Sequence, residues 1–177
     1  MRANLTAAQT GTLDNEGRDV APMFDLIELL FYAYRDFVGD ADRLLEDYQF
    51  GRAHHRVLHF VSRRPGLTVA ELLDILKITK QSLNRVMKDL LDGGFVDARA
   101  GVNDRRQRLL FPTPRGRDLA IDLARLQSER FRRALSGLPA GAEQQLSQFL
   151  LGMVDLPERA KVSALIWPEP SNTFAQP

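Results

Sequence analysis

The stretch Thr68–Gly116, TVAELLDILKITKQSLNRVMKDLLDGGFVDARAGVNDRRQRLLFPTPRG, decides how this chain folds. Thr68-Val69-Ala70-Glu71 has the form of a capping box, in which a threonine hydroxyl and a glutamate carboxylate satisfy amides at a helix start. Leu72, Leu73 and Leu76 follow at inward-facing spacing. Lys77-Ile78 makes a turn, with Ile78 filling the space between two helices. Thr79 caps the second helix, which runs to about Asp92. Gly93-Gly94 ends it, because a left-handed residue costs least as glycine. Phe95–Arg99 and Arg108–Phe111 read as strands joined by Ala100–Gln107, where Asn103-Asp104 has turn chemistry. Thr113-Pro114 is a cap with proline at the first position of another helix.

The second helix has two unlike faces. Leu83, Val86, Met87 and Leu90 lie opposite Lys80, Gln81, Asn84, Arg85 and Lys88. A solvated helix face would show the same spacing, so the residue types decide. Arginine pairs bidentately with guanine, and asparagine or glutamine with adenine, in the major groove. Only one acid, Asp89, interrupts the run Lys77–Leu91. Thr79 and Ser82, at the helix start, suit phosphate through hydroxyl and backbone amides. The hairpin loop brings Asp104, Arg105, Arg106 and Arg108. A helix suited to a major groove, followed by an arginine-tipped loop suited to a minor groove, is the layout of a winged helix-turn-helix that reads double-stranded DNA.

Charge supports this placement. The chain's formal net charge of +1 conceals an uneven distribution. Residues 1–50 hold four arginines against ten acids, whereas residues 51–117 hold fourteen Lys/Arg against six acids. Positive charge therefore coincides with the reading-head pattern. Other classes are poorly served. With no cysteine there is no disulfide, thiolate metal site or cysteine nucleophile. The sequence lacks G-x-G-x-x-G, P-loop, G-x-S-x-G and H-E-x-x-H patterns, so no enzyme and no cofactor is expected. No apolar run approaches a membrane span and the polar N-terminus is unlike a signal peptide, so a cytoplasmic protein is expected.

Working outward, residues 1–20 read as a flexible tail and 21–50 as a dimerisation helix. In that helix Leu26, Leu29, Leu30, Ala33, Tyr34 and Phe37 form an apolar stripe between Pro22 and Gly39. Residues 51–117 form the winged helix-turn-helix domain. They open with a helix at about 52–63 that buries Val57, Leu58, Phe60 and Val61 and stops at Arg64-Pro65-Gly66. Residues 118–177 supply further dimerisation helices and a C-terminal tail. One of these helices runs to about Ser136 and another covers about 141–155, followed by a proline-rich stretch that cannot continue a long helix. The expected fold is mostly α with a small β-hairpin wing. Apolar helices at both ends of so small a basic domain are hard to bury in one subunit. A two-fold homodimer buries them and pairs two reading heads on a palindromic operator.

In element order over about residues 24–156, the chain resembles the MarR family of bacterial transcriptional regulators. The likeness is sharpest over LTVAELLDILKITKQSLNRVMKDLLDGGFV and NDRRQRLLFPTPRG. The family's Asp-x-Arg wing motif matches Asp104-Arg105-Arg106, and its Leu-Thr-x-x-Gly matches Thr113-Pro114-Arg115-Gly116, with Pro112 in place of the usual leucine. GRAHHRVLHF and LKITKQSLNRV show a narrower likeness to the PetP-type branch. The resemblance implies that Arg106 enters the minor groove, oriented by a charge-assisted bond from Asp104, while Arg105 and Arg108 serve phosphates. It also implies a small aromatic or anionic effector, bound near Tyr34, His54, His55 and Arg56.

Two other readings stand beside this one. A winged helix can serve protein contact without specific DNA binding. His55 and His59 share a helical face at a spacing that can chelate zinc, so a metal-responsive regulator using His54, His55 and His59 is a second alternative. No carboxylate stands at ligand spacing on that helix, however, and the ordinary reading is that these histidines make polar contacts near an interface or line an effector pocket. No metal site is assigned.

Overall fold

The computed structural model describes residues 21–101, 104 and 106–168. The expected tail at 1–20, residues 102, 103 and 105, and the segment 169–177 lie outside the described residues. Helix α1 covers Phe24–Glu46 and α2 covers Arg52–Arg63. A two-residue strand β1, Leu67–Thr68, leads into α3, Val69–Leu76, and α4, Lys80–Asp92. Strands β2, Val96–Ala100, and β3, Arg108–Pro112, form the hairpin, and α5 follows at Pro114–Leu135. Beyond it lie α6, Ala142–Gly152, a 3-10 turn at Leu156–Glu158, and α7, Arg159–Ile166. The chain divides into two compact units after Ala124.

The core of the first unit collects one face from each element. Leu45 from α1, Val57, Leu58 and Val61 from α2, Leu72 from α3, and Leu83 and Leu90 from α4 are fully enclosed. Phe95, Val96, Leu110 and Leu123 close it from the sheet and α5. Burying each such side chain contributes about 1.5–3 kcal/mol, so α4 is held chiefly by its Leu83–Leu90 face.

Local sequence signals set most boundaries. Thr68 Oγ1 accepts from the Glu71 amide at 3.1 Å, and the Glu71 carboxylate accepts from the Thr68 amide at 2.7 Å. Those bonds hold the Glu71 carboxyl below the usual carboxylate range. Lys77 adopts the left-handed conformation (φ 51°) that turns α3 into α4. Gly94 (φ 70°) turns the chain out of α4 and into β2.

Three features differ from the sequence-based expectation, and a fourth adds to it. Helix α1 does not end near Gly39 but continues to Glu46, because Val38, Ala41 and Leu45 are buried and their packing outweighs one glycine. The wing is a three-stranded antiparallel sheet of order β1-β3-β2, since Leu67 and Thr68 pair with Leu110 and Leu109. Phe60 is half-buried, with the Arg64 guanidinium 5.6 Å from its ring centre. Between Pro157 and Pro168 the chain is helical, because Pro157 occupies the first turn, where its missing N–H costs nothing.

Candidate nucleic-acid interface

Helix α4 presents one face to the core and the other to solvent. Leu83, Val86, Met87 and Leu90 are buried, whereas Lys80, Gln81, Ser82, Asn84, Arg85 and Lys88 are exposed. Among the described residues, the side chains of Gln81, Asn84 and Arg85 make no hydrogen bond, so their amides and guanidinium face water. At the helix start Thr79 Oγ1 accepts from the Ser82 amide at 3.2 Å and its hydroxyl donates to Ser82 Oγ at 2.9 Å. That mutual pairing fixes the first turn and leaves neighbouring amides directed outward, where a helix N-terminus attracts an anion. Lys88 is tethered: its ammonium lies 2.7 Å from the Asp92 carboxylate one turn on, which raises the lysine above its ordinary value.

The wing is closed by backbone bonds. Ala100 pairs with Arg108 at the end of the ladder, Gly101 N–H donates to the Gln107 carbonyl at 3.0 Å, and Gln107 N–H donates to the Asp104 carbonyl at 3.0 Å. A Cβ on Gly101 would lie 2.8 Å from the Asp104 carbonyl oxygen, so the loop tolerates no side chain there. Arg106 and Arg108 are exposed. Arg105 lies outside the described residues. The expected bond from Asp104 to the Arg106 guanidinium gives way to another: Asp104 Oδ1 accepts from the backbone amide of Arg106 at 2.8 Å. A short aspartate side chain reaches the amide two residues on more readily than a guanidinium, and the result is a turn lock.

The residues expected to meet an effector do not converge on one group. His54 Nδ1 accepts from the Gly51 amide at 3.1 Å, and its Nε2 lies 3.2 Å from Asp89 Oδ2 on α4. Arg56 donates to the Leu76 carbonyl at 2.8 Å and so closes the end of α3. Tyr34 is exposed on α1. His55 is half-buried; desolvation foremost, then His59, lowers its pKa, and Asp42 opposes them. Burial likewise lowers His59, aided by Arg63 and Arg64. Among the described residues no group of three or more His, Cys, Asp or Glu side chains could hold a metal ion.

Two contributions escaped the sequence reading. Arg115 lies over the Phe95 ring at 4.2 Å and donates to the Gly93 carbonyl at 3.0 Å, tying the start of α5 to the end of α4. Arg99 lies 4.5 Å from the centre of the Phe111 ring and stiffens the hairpin. An aromatic residue just before β2 and another in β3, each with arginines near in sequence, was the available signal.

A capped α3, a left-handed turn, an amphipathic α4 and an antiparallel wing together define a winged helix-turn-helix. A model of the MarR family matches residues 48–107. The HTH-type transcriptional regulator PetP of Rhodobacter capsulatus is 45% identical over 129 residues, covering 73% of this chain and 78% of that protein. Among solved structures, a SlyA-like transcription regulator from Listeria monocytogenes superposes with a TM-score of 0.64 at 19% identity, over 86% of this chain and 99% of that one. A Mycobacterium tuberculosis MarR family protein in complex with p-aminosalicylic acid superposes with a TM-score of 0.53 at 25% identity, over 76% and 100%. The chain belongs to the MarR family of transcriptional regulators, and not to a family of enzymes.

Proposed function

We propose that this protein is a sequence-specific DNA-binding regulator that acts as a homodimer on a pseudo-palindromic operator in the cytoplasm. The observation that carries the reading is the outer face of α4. Gln81, Asn84 and Arg85 stand exposed and unbonded on a helix whose opposite face is locked into the core. These are the side chains that read major-groove base edges, while Lys80, Lys88, Thr79 and Ser82 suit flanking phosphates. Arg106, presented by the turn that Asp104 locks, is the minor-groove arginine, and Arg105 and Arg108 serve the backbone.

Dimerisation is supported by unmatched apolar surface in both units. Residues 21–35 are exposed without exception, although they include Phe24, Leu26, Ile27, Leu29, Leu30 and Phe31. From Ala124 to Pro168 no residue is buried, although Phe149, Leu150, Met153, Ile166 and Trp167 lie there. Monomeric proteins rarely leave so much contiguous apolar surface in water, and a second copy covers it. A small aromatic or anionic effector is supported by the p-aminosalicylate complex of the mycobacterial relative. Of the residues expected to meet it, Tyr34 and His55 make no hydrogen bond among the described residues, whereas His54 and Arg56 are engaged.

The deciding experiment selects bound duplexes from a random pool and titrates the winner with salt. The expected result is a pseudo-palindrome with half-site centres roughly 10 bp apart and an affinity that falls steeply with salt. No enrichment and a flat salt dependence would argue for the protein-contact winged helix instead.

A further inference from the structure

Asp89 is the one acid between Lys77 and Leu91, and it sits one helical turn beyond Arg85. A carboxylate beside a DNA-reading face repels phosphate, so its presence calls for a reason. Its partner supplies one: His54, on the neighbouring helix, meets Asp89 Oδ2 through Nε2 at 3.2 Å.

The histidine has little freedom. Because Nδ1 accepts the Gly51 amide, the ring's proton sits on Nε2 and points at Asp89. The ring also lies flat on Phe50, with centroids 4.6 Å apart and an interplanar angle of 7°, and the side chain is only 13% exposed. Three contacts thus fix a side chain that has two torsions. The stack continues: Phe50 meets Phe95 edge-on at 5.0 Å, Tyr48 meets Phe95 at 5.5 Å, and Arg115 lies over Phe95. Arg115 in turn holds the Gly93 carbonyl. Helix α4 is therefore gripped by directional contacts at two points, Asp89 and Gly93, in addition to the packing of its apolar face. An apolar ridge sets distance; polar contacts set register.

We propose that His54 is a positioning residue for DNA reading. Through Asp89 it fixes the rotation and register of α4, and hence where Gln81, Asn84 and Arg85 meet the base edges. This inference rests on the DNA-binding reading above. It concerns discrimination between sequences rather than the general attraction to phosphate.

The test compares full-length wild type, His54→Phe, Asp89→Ala, the double variant and Asp89→Asn. Each is titrated against the duplex recovered by selection with wild type and against an unrelated duplex of equal length, at several salt concentrations. Melting and dimer mass are measured in parallel. His54→Phe keeps the stack on Phe50 and removes the bonds to both Asp89 and the Gly51 amide, whereas Asp89→Ala removes the first alone. His54→Phe should lower the ratio of specific to nonspecific affinity by about tenfold, the scale of one lost hydrogen bond to a charged group. Its salt slope should match wild type. Asp89→Ala should lower the ratio similarly, and the double variant no further. Asp89→Asn keeps an acceptor and loses a charge, so it should bind both duplexes more tightly with the ratio preserved. If folded His54→Phe keeps the wild-type ratio within about twofold, the proposal is overturned. Should that variant fail to fold, an unchanged ratio in Asp89→Ala, whose side chain is 44% exposed, overturns it equally. A selection with wild type that enriches no duplex overturns the DNA-binding reading itself.

Discussion

Gly116→Ala is expected to be among the most damaging single-methyl substitutions in this fold. In an ordinary helix the change would stabilise by about 1 kcal/mol. Here a Cβ would lie 1.9 Å from the Phe95 carbonyl oxygen and 2.8 Å from its carbon, both backbone atoms. An ordinary nonbonded contact is about 3.5 Å, so the first turn of α5 must back away by roughly 1.5 Å. That turn is pinned at several points. Thr113 N–H donates to Phe95 O at 3.1 Å, Thr113 Oγ1 donates to the Gly94 carbonyl at 2.7 Å, and Arg115 reaches the Gly93 carbonyl. Losing two or three such bonds at about 1 kcal/mol each, with overpacking of about 1–3 kcal/mol, outweighs the propensity gain. The net expectation is a loss of about 2–4 kcal/mol, a large share of the roughly 5–15 kcal/mol that holds a typical domain. Urea unfolding followed by circular dichroism, at one protein concentration, would show a lower midpoint and an unchanged slope. A variant within about 0.5 kcal/mol of wild type, or more stable, would refute the close-approach account.

Three further outcomes are expected. Arg85→Ala should cost about 1–3 kcal/mol of operator binding and relax preference at one base pair per half-site, while Arg106→Ala should weaken A·T-rich flanks most; unchanged affinity across all flanks in a folded Arg106 variant would remove that arginine from the groove. Leu30→Asp in α1 should convert the dimer into a 20.0 kDa monomer by light scattering, and a dimer of wild-type mass would place the interface elsewhere. Stability should be flat above neutral pH and decline as pH falls through about 6.5, because the unfolded chain takes up protons at His55 and His59 before the fold does. Replacing both with glutamine should flatten that decline, and an equal slope in the double variant would assign it to other groups. The loss at Glu71 belongs to a separate window, below the usual carboxylate range.

What was legible in the sequence was what neighbouring residues decide between themselves. The Thr68–Glu71 box, the Thr79 cap, the Gly94 exit and the two faces of α4 are all settled within one or two helical turns. Contacts between distant segments were not legible. Strand β1 is two residues long and exists because Leu67 finds Leu110. Helix α1 passes Gly39 because Ala41 and Leu45 reach a core built by later elements. His54 read as an effector or metal candidate because its partner, Asp89, stands on another helix. The lone acid in a basic run was the visible trace of that partnership.

Helix α1 is divided along its length between two allegiances, with Val38, Ala41 and Leu45 anchored and residues 24–35 bare. At 1.5 Å per residue the bare portion is a rod of about 18 Å. A swing of about 10° at the anchor therefore displaces its far end by roughly 3 Å. In the dimer proposed above, where a second copy clasps that end, the same swing would be delivered to the reading head instead. A few degrees at Val38–Leu45 would then become ångströms at the DNA, enough to mismatch half-sites set one helical turn apart. A small displacement near the fulcrum, rather than at the tip, is what the rod amplifies most.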